Sequence, residues 1–351
     1  MMRPVFRAWT CARVPEVLPL RQPKHPGKPG KKVEAMTETS AGRPLSTREP
    51  GRRGPARPFR SQAVGRLVLP LLLLALLLPI RARAEHVANV TFSSVGASAA
   101  VELRGTLYHP RGQGPFPALV LLHGCDGVVD LYHKWAGRFA RMGYAALIVD
   151  SFKPRGLGDD CRGERGDPPR LRVDDALGAG AFLAGLSFVD PTRIALIGWG
   201  DGGDAALRAV RRAHGGEGLR FRAAAAFYPG CEVAGPFATP VLVLMGDQDR
   251  WSPVAPCARM VRDALKDGVS PGAELRVYPG ATHLFDDDFP TNQWLLAEQA
   301  RGDPDVEVVS GGYLFLGHMI RYDRAAHDDA VKRLDAFLAR AMPLTQAASG
   351  Q

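Results

Sequence analysis

The stretch Ile194-Ala195-Leu196-Ile197-Gly198-Trp199-Gly200-Asp201-Gly202-Gly203-Asp204 constrains this chain more than any other. An apolar run of strand type stops abruptly in glycines and resumes as helix-like sequence, which reads as strand, sharp turn and helix. A nucleophile elbow, G-x-S-x-G, has this form, because strand and helix must approach closely around a strained turn. Gly198, Gly202 and Gly203 fall where that frame needs small residues, and Gly200 falls at its centre. Glycine carries no hydroxyl or thiol, so the frame lacks the side chain that would attack a substrate.

Around this stretch, apolar segments of strand and helix type alternate. Val87 to Ser94 and Ala99 to Tyr108 alternate in the manner of half-buried strands and predict an antiparallel lead-in hairpin. Pro117 to Leu122, Tyr144 to Val149, Arg193 to Ile197, Ala223 to Tyr228, Pro240 to Met245 and Glu274 to Tyr278 read as strands, several apolar enough to be buried on both faces. Helical segments fall between them at Leu131 to Met142, Leu171 to Leu186, Asp204 to Arg212 and Val254 to Leu265, and Asp323 to Ala341 closes the chain. The pattern predicts an α/β fold, a mainly parallel, doubly wound sheet with helices on both faces. Ligands of such sheets bind beyond the carboxyl ends of the strands.

Charge divides the chain near residue 85. Residues 1–84 hold 17 of the 45 basic and 4 of the 36 acidic side chains, which puts this leader at +13 and the remainder at −4. The excess lies in a Pro- and Gly-rich tract without aromatic interleaving, so it does not argue for a nucleic-acid partner. Leu67 to Ile80 is an apolar run flanked by Arg66 and Ala82-Arg83-Ala84. It fits a secretory h-region with an A-x-A cleavage site, and is short for a membrane span. We expect residues 1–63 to be a disordered or mis-assigned upstream leader, with Val64 the start. Residues 64–84 are then a signal peptide cleaved after Ala84, and 85–351 one exported domain without stable membrane insertion.

That domain keeps Cys125, Cys161, Cys231 and Cys257. Four cysteines in an exported chain permit two disulfides in three connectivities. The pairing favoured is Cys231 with Cys257 and Cys125 with Cys161, free buried thiols being the alternative. No C-x-x-C or H-x-x-x-H spacing calls for a metal, and no motif calls for a cofactor.

The predicted strand ends carry the chemistry-bearing residues. His123-Gly124-Cys125-Asp126-Gly127 is a glycine-containing loop whose backbone N–H groups suit an oxyanion hole. Gly246-Asp247-Gln248-Asp249 supplies two carboxylates, and Gly280-Ala281-Thr282-His283 supplies an imidazole. The order elbow, acid, base is the one found with G-x-S-x-G elbows. His283 is the side chain suited to moving a proton near neutral pH, and a carboxylate would fix its tautomer. Asp249 is the expected partner, with Asp247 a turn residue. His123 is expected to be structural. His133, His214, His318 and His327 have no motif frame.

These motifs, with Tyr278-Pro279-Gly280-Ala281-Thr282-His283, resemble the dienelactone hydrolase family of the α/β-hydrolase fold over nearly all of the exported domain. Asp150-Ser151-Phe152, Arg155-Gly156, Cys161, Tyr228-Pro229-Gly230-Cys231 and Cys257 extend the resemblance to an exported branch. It implies hydrolysis of small esters or lactones, with the nucleophile position on Gly200, the acid on Asp249 and the base on His283. Gly124, Cys125 and Asp201 would form the oxyanion and substrate loop.

Asp201 as nucleophile would need the frame shifted by one, which puts Trp199 where a small residue belongs. Two readings follow: a hydrolase by ancestry, weakened or silenced at Gly200, and a non-catalytic module that binds a small ester or lactone. Polar residues from Phe285 to Gly312 are expected to cover the pocket, their run Asp286-Asp287-Asp288 as a solvated turn. A monomer is the default expectation.

Overall fold

The computed structural model describes residues 85–344 apart from 97–98, 159–160, 162–168, 212–218, 234–235, 267, 269 and 289–301. The leader and signal-peptide expectations therefore lie outside the described residues, as does His214. Eight strands form one sheet in the order β1-β2-β4-β3-β5-β6-β7-β8. β1 (His86–Ser93) and β2 (Glu102–His109) pair antiparallel, and β2 pairs antiparallel with β4 (Ala145–Asp150). β3 (Phe116–Leu122), β5 (Val189–Trp199), β6 (Ala224–Phe227), β7 (Val241–Gly246) and β8 (Ala273–Tyr278) complete it in parallel. The α/β-hydrolase architecture read from the sequence is the one the chain adopts.

The continuous apolar runs explain the sheet. Residues 117–122 of β3, 194–199 of β5 and all of β6 and β7 are buried, which requires layers of helix on both faces. α1 (Asp130–Met142) buries Leu131, Tyr132, Trp135, Ala136, Phe139 and Ala140, a stripe repeating every three to four residues. Gly143 then ends it in the left-handed region, at φ 115°. α2 (Pro169–Ala184), α3 (Asp201–Ala209), α4 (Val254–Lys266) and α5 (Arg324–Ala341) follow. Asp323 caps α5 by accepting the Ala326 N–H at 3.0 Å.

α3 begins three residues earlier than the helical periodicity placed it. Gly202 and Gly203 read as turn residues in sequence, yet they form its first turn, pressed against β3 and β5. A Cβ on Gly202 would come within 2.2 Å of the Leu122 carbonyl oxygen, and one on Gly198 within 2.1 Å of the Gly202 oxygen. Contact of backbone with backbone, not loop freedom, requires glycine at both positions.

A second sheet was not anticipated. β9 (Val306–Val309), β10 (Gly312–Phe315) and β11 (His318–Ile320) form an antiparallel meander within and beyond the polar segment read as a cover. It is fixed to the loop after β8: His283 bridges Ile320, and the Arg321 N–H donates to Thr282 Oγ1 at 3.0 Å. Both expected disulfides are formed, Cys125–Cys161 and Cys231–Cys257.

Candidate active site

The order of strands reverses about β3, and the loops after β3 and β5 meet at that point, where open sheets bind ligands. Gly200 is the N-cap of α3, with φ 51° and ψ −121°. A side chain is strained there, and an elbow stores that strain to expose its nucleophile. The turn is held by backbone bonds alone: the Gly200 N–H donates to Phe227 O at 3.0 Å, and its carbonyl accepts the Asp204 N–H at 3.1 Å. The Asp204 carboxylate accepts the Gly230 and Cys231 N–H groups at 2.8 and 2.9 Å, tying α3 to the loop after β6.

The elbow frame is centred on Gly200. Its flanking positions 198 and 202 tolerate no Cβ, whereas a frame centred on Asp201 would need Trp199 to be small. Asp201 is exposed at the first turn of α3, where its N–H has no helical acceptor.

Across the cavity, His283 Nδ1 lies 2.7 Å from Asp249 Oδ2, with both residues buried. The other oxygen of Asp249 accepts the Trp251 and Ser252 N–H groups at 2.9 and 2.8 Å, which orients the carboxylate. Such a pair places the imidazole proton on Nδ1 and leaves Nε2 as an acceptor. A Cβ built on Gly200 would lie 4.0 Å from that Nε2 and 3.8 Å from Gly124 Cα, with nothing closer. His283 is packed between Tyr228 and Trp251, with ring centroids 4.4 and 5.6 Å away. Asp247 is exposed and accepts the Gly280 N–H at 2.7 Å, so it braces the loop after β8.

The loop after β3 is more internally bonded than its sequence suggests. The Gly124 N–H donates to Tyr132 Oη at 2.8 Å, and that hydroxyl donates to Asp126 Oδ1 at 2.8 Å. Gly124 therefore shapes the cavity with its backbone, and the amide of Cys125 comes next along the loop. Burial raises the Asp126 carboxyl to about 6, against the opposing pull of the Tyr132 hydrogen bond. His123 is fully buried. Its Nδ1 lies 2.7 Å from the Gly124 carbonyl oxygen, and Nε2 accepts the Ser151 N–H at 3.2 Å, which assigns the proton to Nδ1. Burial, then the Arg172 guanidinium, holds its pKa well below the usual histidine value. It is a neutral strut under the loop.

Cys161 reaches the cavity through a turn after β4. Asp150 Oδ1 accepts the Phe152 and Lys153 N–H groups at 3.1 and 2.9 Å, and Arg155 forks onto Asp175 at 2.8 and 2.9 Å. The Cys125–Cys161 bond ties the loop after β3 to Cys161.

Sequence reasoning missed Asp286. The acidic run is solvated only at Asp288, since Asp286 and Asp287 are each 2% exposed. Asp286 Oδ2 accepts the indole N–H groups of Trp199 at 2.9 Å and Trp135 at 3.1 Å, and Oδ1 accepts the Tyr228 hydroxyl at 2.7 Å. Burial raises its pKa against the pull of those donors. The cluster joins α1, the residue before Gly200, the end of β6 and the loop of His283. The available signal was three aromatic residues with polar tips in buried frames, each needing a partner.

Gly200, His283, Cys125, Asp126, Trp251 and Phe315 are among the residues lining a cavity of about 220 Å³. That is below the common range for drug-sized ligands, roughly 300 Å³ upward, and suits a small acyl compound. Phe315 and Ile320 bring the meander to this cavity, beyond the Gly312 end of the predicted cover.

Comparisons with known proteins bear on the family and the fold. Thiohydrolase apmlB of Arthrinium phaeospermum is 39% identical over 110 residues, covering 31% of this chain and 34% of that protein. Esterase FrsA of Klebsiella pneumoniae is 28% identical over 107 residues, 30% of this chain and 24% of that protein. The alignments thus span about a third or less of these curated relatives. Among solved structures, a dienelactone hydrolase-like promiscuous phosphotriesterase, P91, from metagenomic libraries superposes with a TM-score of 0.55 at 21% identity, covering 73% of this chain and 98% of its own. An esterase of Thermogutta terrifontis superposes at 0.51 and 17%, covering 74% and 94%. At these identities the likeness is one of fold. The model of the dienelactone hydrolase family matches residues 103–342, well over half of the sequence, and the chain belongs to that family.

Proposed function

We propose that this protein is an exported hydrolase of small carboxylic esters or lactones, with turnover weakened because Gly200 stands at the nucleophile position. One observation carries the reading: a backbone in elbow conformation puts the residue-200 Cβ position 4.0 Å from Nε2 of a buried His–Asp pair. His283 is the base and Asp249 fixes its tautomer and supports the imidazolium. The N–H groups of Cys125 and Asp201 are the oxyanion donors, and the aromatic wall from Trp251 to Phe315 receives the acyl or leaving group. Export is supported by the apolar run before Ala84 and by the two disulfides. A purely binding module has no need of an oriented base facing the cavity, so hydrolysis is the reading adopted.

The test is release of 4-nitrophenol from 4-nitrophenyl acetate by the purified protein, its His283→Ala variant and its Gly200→Ser variant. Removing the base should lower the rate by about 10² to 10⁴. A folded Gly200→Ser protein that never exceeds the buffer rate on short-chain esters would overturn the proposal.

A further inference from the structure

We propose that the native site hydrolyses activated acyl compounds, aryl esters and thioesters, in one displacement. The attacking water is seated over Gly200 and deprotonated by His283, and no acyl-enzyme forms. The inference rests on the reading above of His283 and the oxyanion amides, and adds the route and the substrate class.

Glycine at the elbow leaves open to the cavity the volume that a nucleophilic side chain would fill. The nearest heavy atoms to the missing Cβ are Gly124 Cα at 3.8 Å and His283 Nε2 at 4.0 Å. The space is wide enough for a water seated over Gly200 to lie within hydrogen-bond reach of Nε2, about 2.6–3.2 Å. The imidazole needs no rearrangement to use it, because Asp249 at 2.7 Å already holds the proton on Nδ1.

The step balances without any other reactant. A water O–H bond breaks and its proton passes to Nε2, while the water oxygen forms a bond to the carbonyl carbon. The carbonyl electron pair moves to the oxygen facing the Cys125 and Asp201 amides. That pair then returns, the bond to the leaving oxygen or sulfur breaks, and the leaving group takes the proton from the imidazolium. A carboxylic acid and an alcohol or thiol result.

The substrate class follows from the competition at the tetrahedral adduct. Hydroxide is about as basic as an alkyl alkoxide and leaves about as readily, so adducts of alkyl esters partition in both directions. A phenolate, whose conjugate acid has a pKa of about 10, or a thiolate, about 8.5, leaves ahead of hydroxide and draws the reaction forward.

The native protein supplies the test, read by partition between water and hydroxylamine. Phenyl acetate, 4-nitrophenyl acetate and a thiophenyl acetate are hydrolysed with hydroxylamine present, and acid and hydroxamate are quantified. Direct attack makes the product ratio depend on the leaving group, and intact-mass spectra show no acetylated protein during turnover. Rates should stand about 10² to 10⁴ above those of the His283→Ala variant. A single ratio for all three esters, or an acetyl adduct on the chain, would show a common acyl-enzyme and overturn the proposal. Turnover by Gly200→Ser with none by the native protein would also overturn it while leaving the proposed function standing. If neither protein turns over, both readings fall.

Discussion

Gly200→Ser makes stability and activity move in opposite directions, and both changes can be worked out from the structure. Residue 200 has φ 51° and ψ −121°, where a side chain costs on the order of 1–3 kcal/mol. No steric term adds to this, since a Cβ would meet nothing nearer than 3.8 Å. For a domain of this size each kcal/mol lowers the melting temperature by about 2–4 °C, so a fall of about 2–12 °C is expected. A rotamer that points the hydroxyl from a Cβ 4.0 Å away toward His283 Nε2 brings it within hydrogen-bond reach. Loss of the serine from an intact triad costs up to about 10⁶ in kcat, so its restoration should raise kcat by about 10³ to 10⁶. Calorimetry and stopped-flow hydrolysis of 4-nitrophenyl acetate with a burst phase measure the two effects. Gly200→Ala should show the same destabilisation with no gain. If Gly200→Ser is folded and less stable but forms no acetyl-enzyme, the geometric assignment of His283 to this elbow is wrong.

Three further outcomes follow from the surroundings of the site. Asp286→Leu orphans two indole N–H groups and a tyrosine hydroxyl, at about 1–3 kcal/mol each. Asp286→Asn can keep its oxygen toward the indoles and its amide toward Tyr228 Oη, so urea unfolding should place it within about 1 kcal/mol of the native protein. The two disulfides close loops of similar length, 36 and 26 residues apart, and removing either should cost about 3–4 kcal/mol. In a Gly200→Ser background, only the Cys125→Ala/Cys161→Ala pair should also lower kcat, because Cys125 belongs to the oxyanion loop; equal kcat losses from both pairs would refute that role. Asp126 is raised by burial to about 6 from an unfolded value near 4. The folded chain therefore binds more protons between about pH 4 and 6, and stability falls as pH rises through that window, by at most about 3 kcal/mol. Asp126→Asn should remove its part of the slope, while Asp204, also raised to about 6, keeps its own.

Periodicity made the sheet legible because strands buried on both faces must be continuously apolar, as residues 117–122 and 194–199 are. The site was legible where chemistry restricts residue type. An imidazole after the last strand of the main sheet and a carboxylate after the one before it are narrow choices, and Asp249 and His283 meet at 2.7 Å. What escaped was set by tertiary contact. Asp286 reads as a solvent residue because its acceptors serve Trp135, Trp199 and Tyr228, which lie 151, 87 and 58 positions away. The meander from Val306 to Ile320 escaped because its strands are short and their exposure is mixed, so it depends on Thr282 and His283 for anchorage.

The elbow shows why folding makes no demand on the side chain at position 200. Every interaction that fixes its shape belongs to the backbone of residue 200 or to other residues: the bonds to Phe227 and Asp204, and the backbone contact at Gly198 and Gly202. None uses a side chain at position 200, and glycine adopts φ 51° there without the strain that serine would bear. The fold is therefore indifferent to the nucleophile or slightly relieved by its absence. What residue 200 can change is the reaction, at the place where His283 Nε2 faces the cavity. A native rate that depends on His283 and a product ratio that follows the leaving group would then mean that the glycine changed the route of hydrolysis rather than ending it.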